Sequence, residues 1–68
     1  MFKFIRTKIL PLFLARQITT FELAKAANVS YKTTLRAVCG FKVSAASISK
    51  IGKALGLTDA ELVNYLEV

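Results

Sequence analysis

TTFELAKAANVSYKTTLRAV (residues 19–38) is the stretch that decides how this chain folds. Thr19 and Glu22 stand at capping-box spacing: the threonine oxygen accepts the amide three residues on, and the glutamate reaches back to the threonine amide. Leu23, Ala26 and Ala27 then form one apolar helical stripe, and Asn28 suits the left-handed conformation that ends a helix. Only Val29 separates this end from Ser30, a second N-cap residue, so a new helix is predicted over 31–39, stopping at Gly40. Two helices joined by a three- or four-residue turn, the second rich in exposed basic and hydroxyl side chains, form the arrangement that enters a DNA major groove. Ala24, Ala26 and Ala27 keep the first helix thin enough for a close crossing, and Val29 plugs the turn.

Downstream, Ser44 caps a helix in which Ile48, Ile51 and Leu55 recur at three- and four-residue spacing. Gly56 terminates it, with Leu57 packing back over the last turn. Thr58 and Glu61 form a second capping box, predicting a fifth helix to about residue 66. Upstream, Phe2 and Phe4 alternate with Lys3 as in a half-buried strand, although Ile5 breaks the pattern. Thr7 then caps a first helix over 8–16, where Pro11 is tolerated because first-turn amides have no intrahelical acceptor to lose. The expected fold is all-α: one domain over 1–68 of five short helices, with 1–7 as an N-terminal arm or short strand and 20–39 as the helix-turn-helix unit.

Composition narrows the function. Sixty-eight residues bury only about 60% of their unfolded surface, yet 54% of the residues are apolar, so some apolar surface is expected to meet a partner. With Cys39 as the lone cysteine and no histidine, an internal disulfide, a Cys/His zinc site and a histidine relay are all excluded. No acid, base and nucleophile cluster stands out, and Asp59 and Glu61 belong to a helix start, so no catalysis, metal or cofactor is expected. Cys39 itself reads as a buried small hydrophobe. Residues 1–57 hold all ten Lys and Arg and only Glu22 among the acids, a balance of +9, whereas 58–68 carry −3. A basic body points to a polyanion, and nucleic acid leads. The apolar run over 9–15 is too short to span a membrane. Residues 1–17 resemble a signal peptide only superficially, because Pro11 interrupts the run and Arg16 follows it. A reduced, cytoplasmic protein is expected.

ITTFELAKAANVS (residues 18–30) and ISKIGKALGLTDAEL (48–62), in this order and at this separation, resemble the lambda-repressor-like (Cro/CI or XRE-type) helix-turn-helix domain of phage and bacterial regulators. The resemblance covers about 9–62. On the third helix, Tyr31, Lys32 and Arg36 share an outward face while Thr34, Ala37 and Val38 turn inward. The resemblance implies that the outward set reads base edges. Arg36 then reaches guanine O6 and N7 with two donors, Lys32 bonds to the same acceptors, and Tyr31 packs on a thymine methyl or bonds to a phosphate. Leu35 either covers a thymine methyl or packs within the protein. Thr20, Ser30, Thr33 and Lys42 are the expected phosphate contacts; Thr20 is shorter than the amide side chain the family often carries there. Many relatives pair an arginine on the first helix with a glutamate late in the third; here Phe13 and Val38 stand instead, and these two are expected to touch.

The predicted first helix carries Ile9, Leu10, Leu12, Phe13 and Leu14 around most of its circumference. Either the N-terminal segment folds back over it, or it serves a homodimer contacting through Phe2, Phe4, Ile5, Val63 and Leu66. A homodimer would set two third helices about 34 Å apart on a palindromic site. The leading expectation is a sequence-specific DNA-binding regulator, a small Cro-like repressor acting on double-stranded DNA by operator occupancy. The alternative is a protein-interaction module, an antirepressor or antitoxin, binding a protein partner through the apolar N-terminal surface.

Overall fold

Four helices begin where a threonine or serine offers its side-chain oxygen to the third-residue amide, and a fifth begins where a strand turns. The structure, a computed structural model, describes residues 1–67; Val68, the last residue of the expected domain, lies outside the described residues. In chain order the elements are β1 (Lys3–Phe4), α1 (Arg6–Ala15), α2 (Thr20–Ala27), α3 (Tyr31–Val38), α4 (Ala45–Ala54), α5 (Asp59–Leu62), a 3₁₀ turn (Val63–Tyr65) and β2 (Leu66–Glu67). Both capping boxes form: the Thr19 amide donates to Glu22 at 2.8 Å, and the Thr58 amide to Glu61 at 3.0 Å. Ser30 and Ser44 each accept the third-residue amide of their helix at 3.2 Å. Asn28 closes α2 in the left-handed conformation, φ 56°.

The architecture is mostly helical, but not all-α. β1 pairs antiparallel with β2, Lys3 opposite Glu67 and Phe4 opposite Leu66, so the two ends of the chain meet. On the other side of the N-terminal segment, Phe2 exchanges backbone hydrogen bonds with Val43 at 2.9 and 2.7 Å. The segment therefore folds back within its own chain. Phe4, expected at a dimer contact, is 1% exposed and belongs to the core. Burying such a ring contributes about 1.5–3 kcal/mol to the fold.

This pairing also moves two helix boundaries. The first helix starts at Arg6 after Ile5, not at Lys8 after Thr7, and no side chain caps it. Ile5 is held instead by its amide donating to the Tyr65 carbonyl at 2.7 Å, while its carbonyl receives the Lys8 and Ile9 amides. Pro11 consequently lies at the sixth helical position, beyond the first turn, where one intrahelical bond is forgone. The last helix ends at Leu62 rather than near 66, because Tyr65 and the residues after it are drawn into β-pairing.

α2 packs on both α3 and α4, and α1 packs on α3. The core joins Phe4, Ile9 and Phe13 to Leu23, Val38, Ile51 and Leu55. Phe13 and Val38 are both buried in this one cluster. Arg16, just past α1, donates through Nη2 to the Leu55 carbonyl at 2.5 Å, tying the end of α1 to the negative end of α4. Among the described residues, no helix is long and apolar enough to cross a membrane.

Candidate nucleic-acid interface

α3 divides sharply between its two faces. Thr34, Ala37 and Val38 are at most 3% exposed, whereas Tyr31, Lys32, Leu35 and Arg36 face solvent. Thr34 is tolerated in the core because its hydroxyl donates to the Ser30 carbonyl at 2.9 Å. Leu35 is 40% exposed, which places it with the outward set. Cys39, expected to be buried, is exposed: it caps α3 one helical step past Val38, where the 100° rotation has turned away from the core.

The expected phosphate contacts separate into two groups. Thr33, Arg36, Lys42, Ser44 and Ser47 line one concavity of about 260 Å³, together with Met1 and Val43. This brings the first turn of α3, its last turn and the head of α4 to one place. Ser30 stands at the head of α3, but its hydroxyl is committed locally, donating to Thr33 Oγ1 at 2.9 Å, so Thr33 is the outer member of that pair. Thr20, by contrast, sits half-buried in the first turn of α2, where Glu22 already supplies a carboxylate. That negative charge makes the head of α2 a poorer anion site than those of α3 and α4, which have no acid in their first turns.

Among the described residues the one ion pair joins Lys3 to Glu67 at 3.4 Å. Lys25, Lys32, Arg36 and Lys42 therefore carry uncompensated charge. Two of these cations lie over aromatic rings, Lys25 over Phe21 at 5.9 Å and Arg36 over Phe41 at 5.4 Å from the ring centroid. Sequence reading missed both aromatics. Phe21 and Lys25 show the i, i+4 spacing that signals a helical pair, and Phe41 directly follows the glycine that stops α3. Phe21 and Tyr31 are exposed and flank a second groove, of about 390 Å³, floored by Ala24 and Val29.

The expected dimer residues are dispersed. Phe2 and Val63 remain exposed, Ile5 and Leu66 are half-buried in the terminal pairing, and Phe4 is internal. No protein-family model, curated protein or solved structure matches this chain.

Proposed function

We propose that the chain is a sequence-specific DNA-binding regulator of the lambda-repressor-like helix-turn-helix class, with α3 as its reading helix and operator occupancy as its mode of action. One observation carries the reading: α3 buries Thr34, Ala37 and Val38 and turns Tyr31, Lys32, Leu35 and Arg36 to solvent, with no acidic partner for either cation among the described residues. Arg36 and Lys32 supply the donors that guanine O6 and N7 accept, while Tyr31 and Leu35 offer apolar contact to thymine methyls. Lys42, Thr33 and Ser47, around the concavity between α3 and α4, hold the backbone and set register without reading sequence. Two copies on a palindrome would extend the interface; exposed Phe2 and Val63 and the outer edge of β2 are the surfaces left for that contact.

The alternative, a module that binds a protein through its apolar N-terminal surface, has less to stand on, because Phe4, Ile9 and Phe13 are all used inside the monomer. Selection from a pool of random duplexes tests the reading. Recovery of a defined site, with affinity falling steeply as salt rises, is the expected result. Unselective recovery at every salt concentration overturns it in favour of the partner-binding module, and light scattering of the recovered complex counts the copies bound.

A further inference from the structure

α3 ends in a way that fixes what stands beside Arg36. The Gly40 amide donates to the Ala37 carbonyl at 3.1 Å and the Phe41 amide to the Arg36 carbonyl at 2.9 Å, the paired bonds of a Schellman stop. Gly40 makes the turn at φ +84°, and a Cβ there would sit 3.2 Å from Arg6 Cβ, so the turn is set by conformation and space together. In such a stop the side chain two residues past the cap packs on the one three residues before it. Here those residues are Phe41 and Arg36.

The contact that results is a cation over a ring rather than an apolar pair. Arg36 Cζ lies over the Phe41 ring, 5.4 Å from its centroid. Phe41 is 57% exposed, so the core has little use for it. A carboxylate partner would occupy the guanidinium N–H groups and cancel the charge. A ring attracts the cation through its face, leaving the charge in place and the in-plane donors free for an acceptor. It also restricts a long side chain that would otherwise lose rotamer freedom on binding.

We propose that Phe41 is a specificity-determining positioning residue: its ring holds the Arg36 guanidinium ready for bidentate contact with one base, without itself reading sequence. The proposal rests on the DNA-binding reading above. Its first test needs no DNA. In the free protein, the ring current of Phe41 displaces the Arg36 side-chain proton resonances; Phe41→Leu abolishes the displacement and Phe41→Tyr keeps it. The second test uses the duplex selected by the wild-type chain. Phe41→Leu weakens binding by about two- to fivefold and relaxes preference at a single base pair, Phe41→Tyr restores both, and Phe41→Leu has no further effect when Arg36 is already alanine. Thermal unfolding of each variant guards against a general loss of structure. Absence of the displacement in the wild-type chain overturns the proposal alone, and so does equal weakening by Phe41→Leu with and without Arg36. A displacement that persists in a chain selecting no duplex overturns the DNA reading, and the specificity role with it.

Discussion

Replacing Ser47 with glutamate should make this protein more stable and a weaker DNA binder at once. α2 and α5 start with Thr-x-x-Glu, and in both the glutamate closes a capping box. α3 and α4 start with Ser30-x-x-Thr33 and Ser44-x-x-Ser47, where a hydroxyl stands in the glutamate's place. Ser47→Glu gives α4 the third-position carboxylate that the other two helices have. An acid in the first turn contributes about 0.5 kcal/mol, which in a domain of this size raises Tm by about 2–4 °C. The same carboxylate enters the concavity shared by Thr33, Arg36, Lys42 and Ser44. A phosphate seated there at about 4 Å is repelled by about 1–4 kcal/mol, depending on how much water remains, so affinity falls at least about fivefold. Calorimetric unfolding and fluorescence anisotropy with the selected duplex measure the two effects. Ser47→Gln, which caps without charge, separates them by keeping most of the affinity. Unchanged binding by Ser47→Glu would refute the placement of the α4 head against the DNA backbone. A fall in both Tm and affinity would refute the capping argument.

Four further outcomes follow from single contacts. Lys42→Ala should weaken all duplexes alike and make the salt slope shallower by about 0.9, measured by titration at several salt concentrations. Thr34→Val should change unfolding free energy by less than about 1 kcal/mol in denaturant titrations, because the Ser30 carbonyl that loses the hydroxyl still receives the Thr34 amide at 3.0 Å. Gly52→Ala should destabilise by about 1 kcal/mol: the new Cβ would stand 2.5 Å from Leu62 Cδ1, and the overpacking outweighs the helix-propensity gain of about 1 kcal/mol. Trimming Leu62 to alanine in the same chain should make the two changes less than additive. Hydrogen bonds to the carboxylate from the Thr58 amide and, secondly, from the Thr58 side chain hold the Glu61 carboxyl below its ordinary value. Glu61 therefore contributes its full stability above the usual carboxylate range and loses it as pH falls through the lower folded value; Glu61→Gln should flatten that part of the acid-unfolding curve.

How much could be read from the sequence depended on how far apart the partners lie. Thr19 with Glu22, Thr58 with Glu61, Ser30 and Ser44 with their own first turns, and Asn28 at the end of α2 are all settled within four residues, so sequence reading placed them. The two boundaries it misplaced, the start of α1 and the end of α5, answer to one pairing between Lys3–Phe4 and Leu66–Glu67. The alternation of Phe2, Lys3 and Phe4 marked a strand but carried no sign of its partner, Leu66–Glu67, at the far end of the sequence. Phe4 therefore looked equally suited to a dimer and to the core. The inward and outward faces of α3 followed from the helical period alone, but the period could not say whether Cys39 still belonged to the last buried turn.

The candidate interface was legible in the same uneven way. A basic body and an acidic tail were plain from the order of residues, yet charge on a sequence becomes a field only after neighbours have cancelled what they can. In the folded chain three of the four carboxylates are occupied: Glu22 and Glu61 close capping boxes, and Glu67 faces Lys3. None of them reaches Lys25, Lys32, Arg36 or Lys42. Three of the acids are consumed in starting and joining elements, while the cations of α2, α3 and the following loop keep their charge, two of them over rings that attract without neutralising. That division needs both the caps, which are local, and the terminal strand pair, which is not.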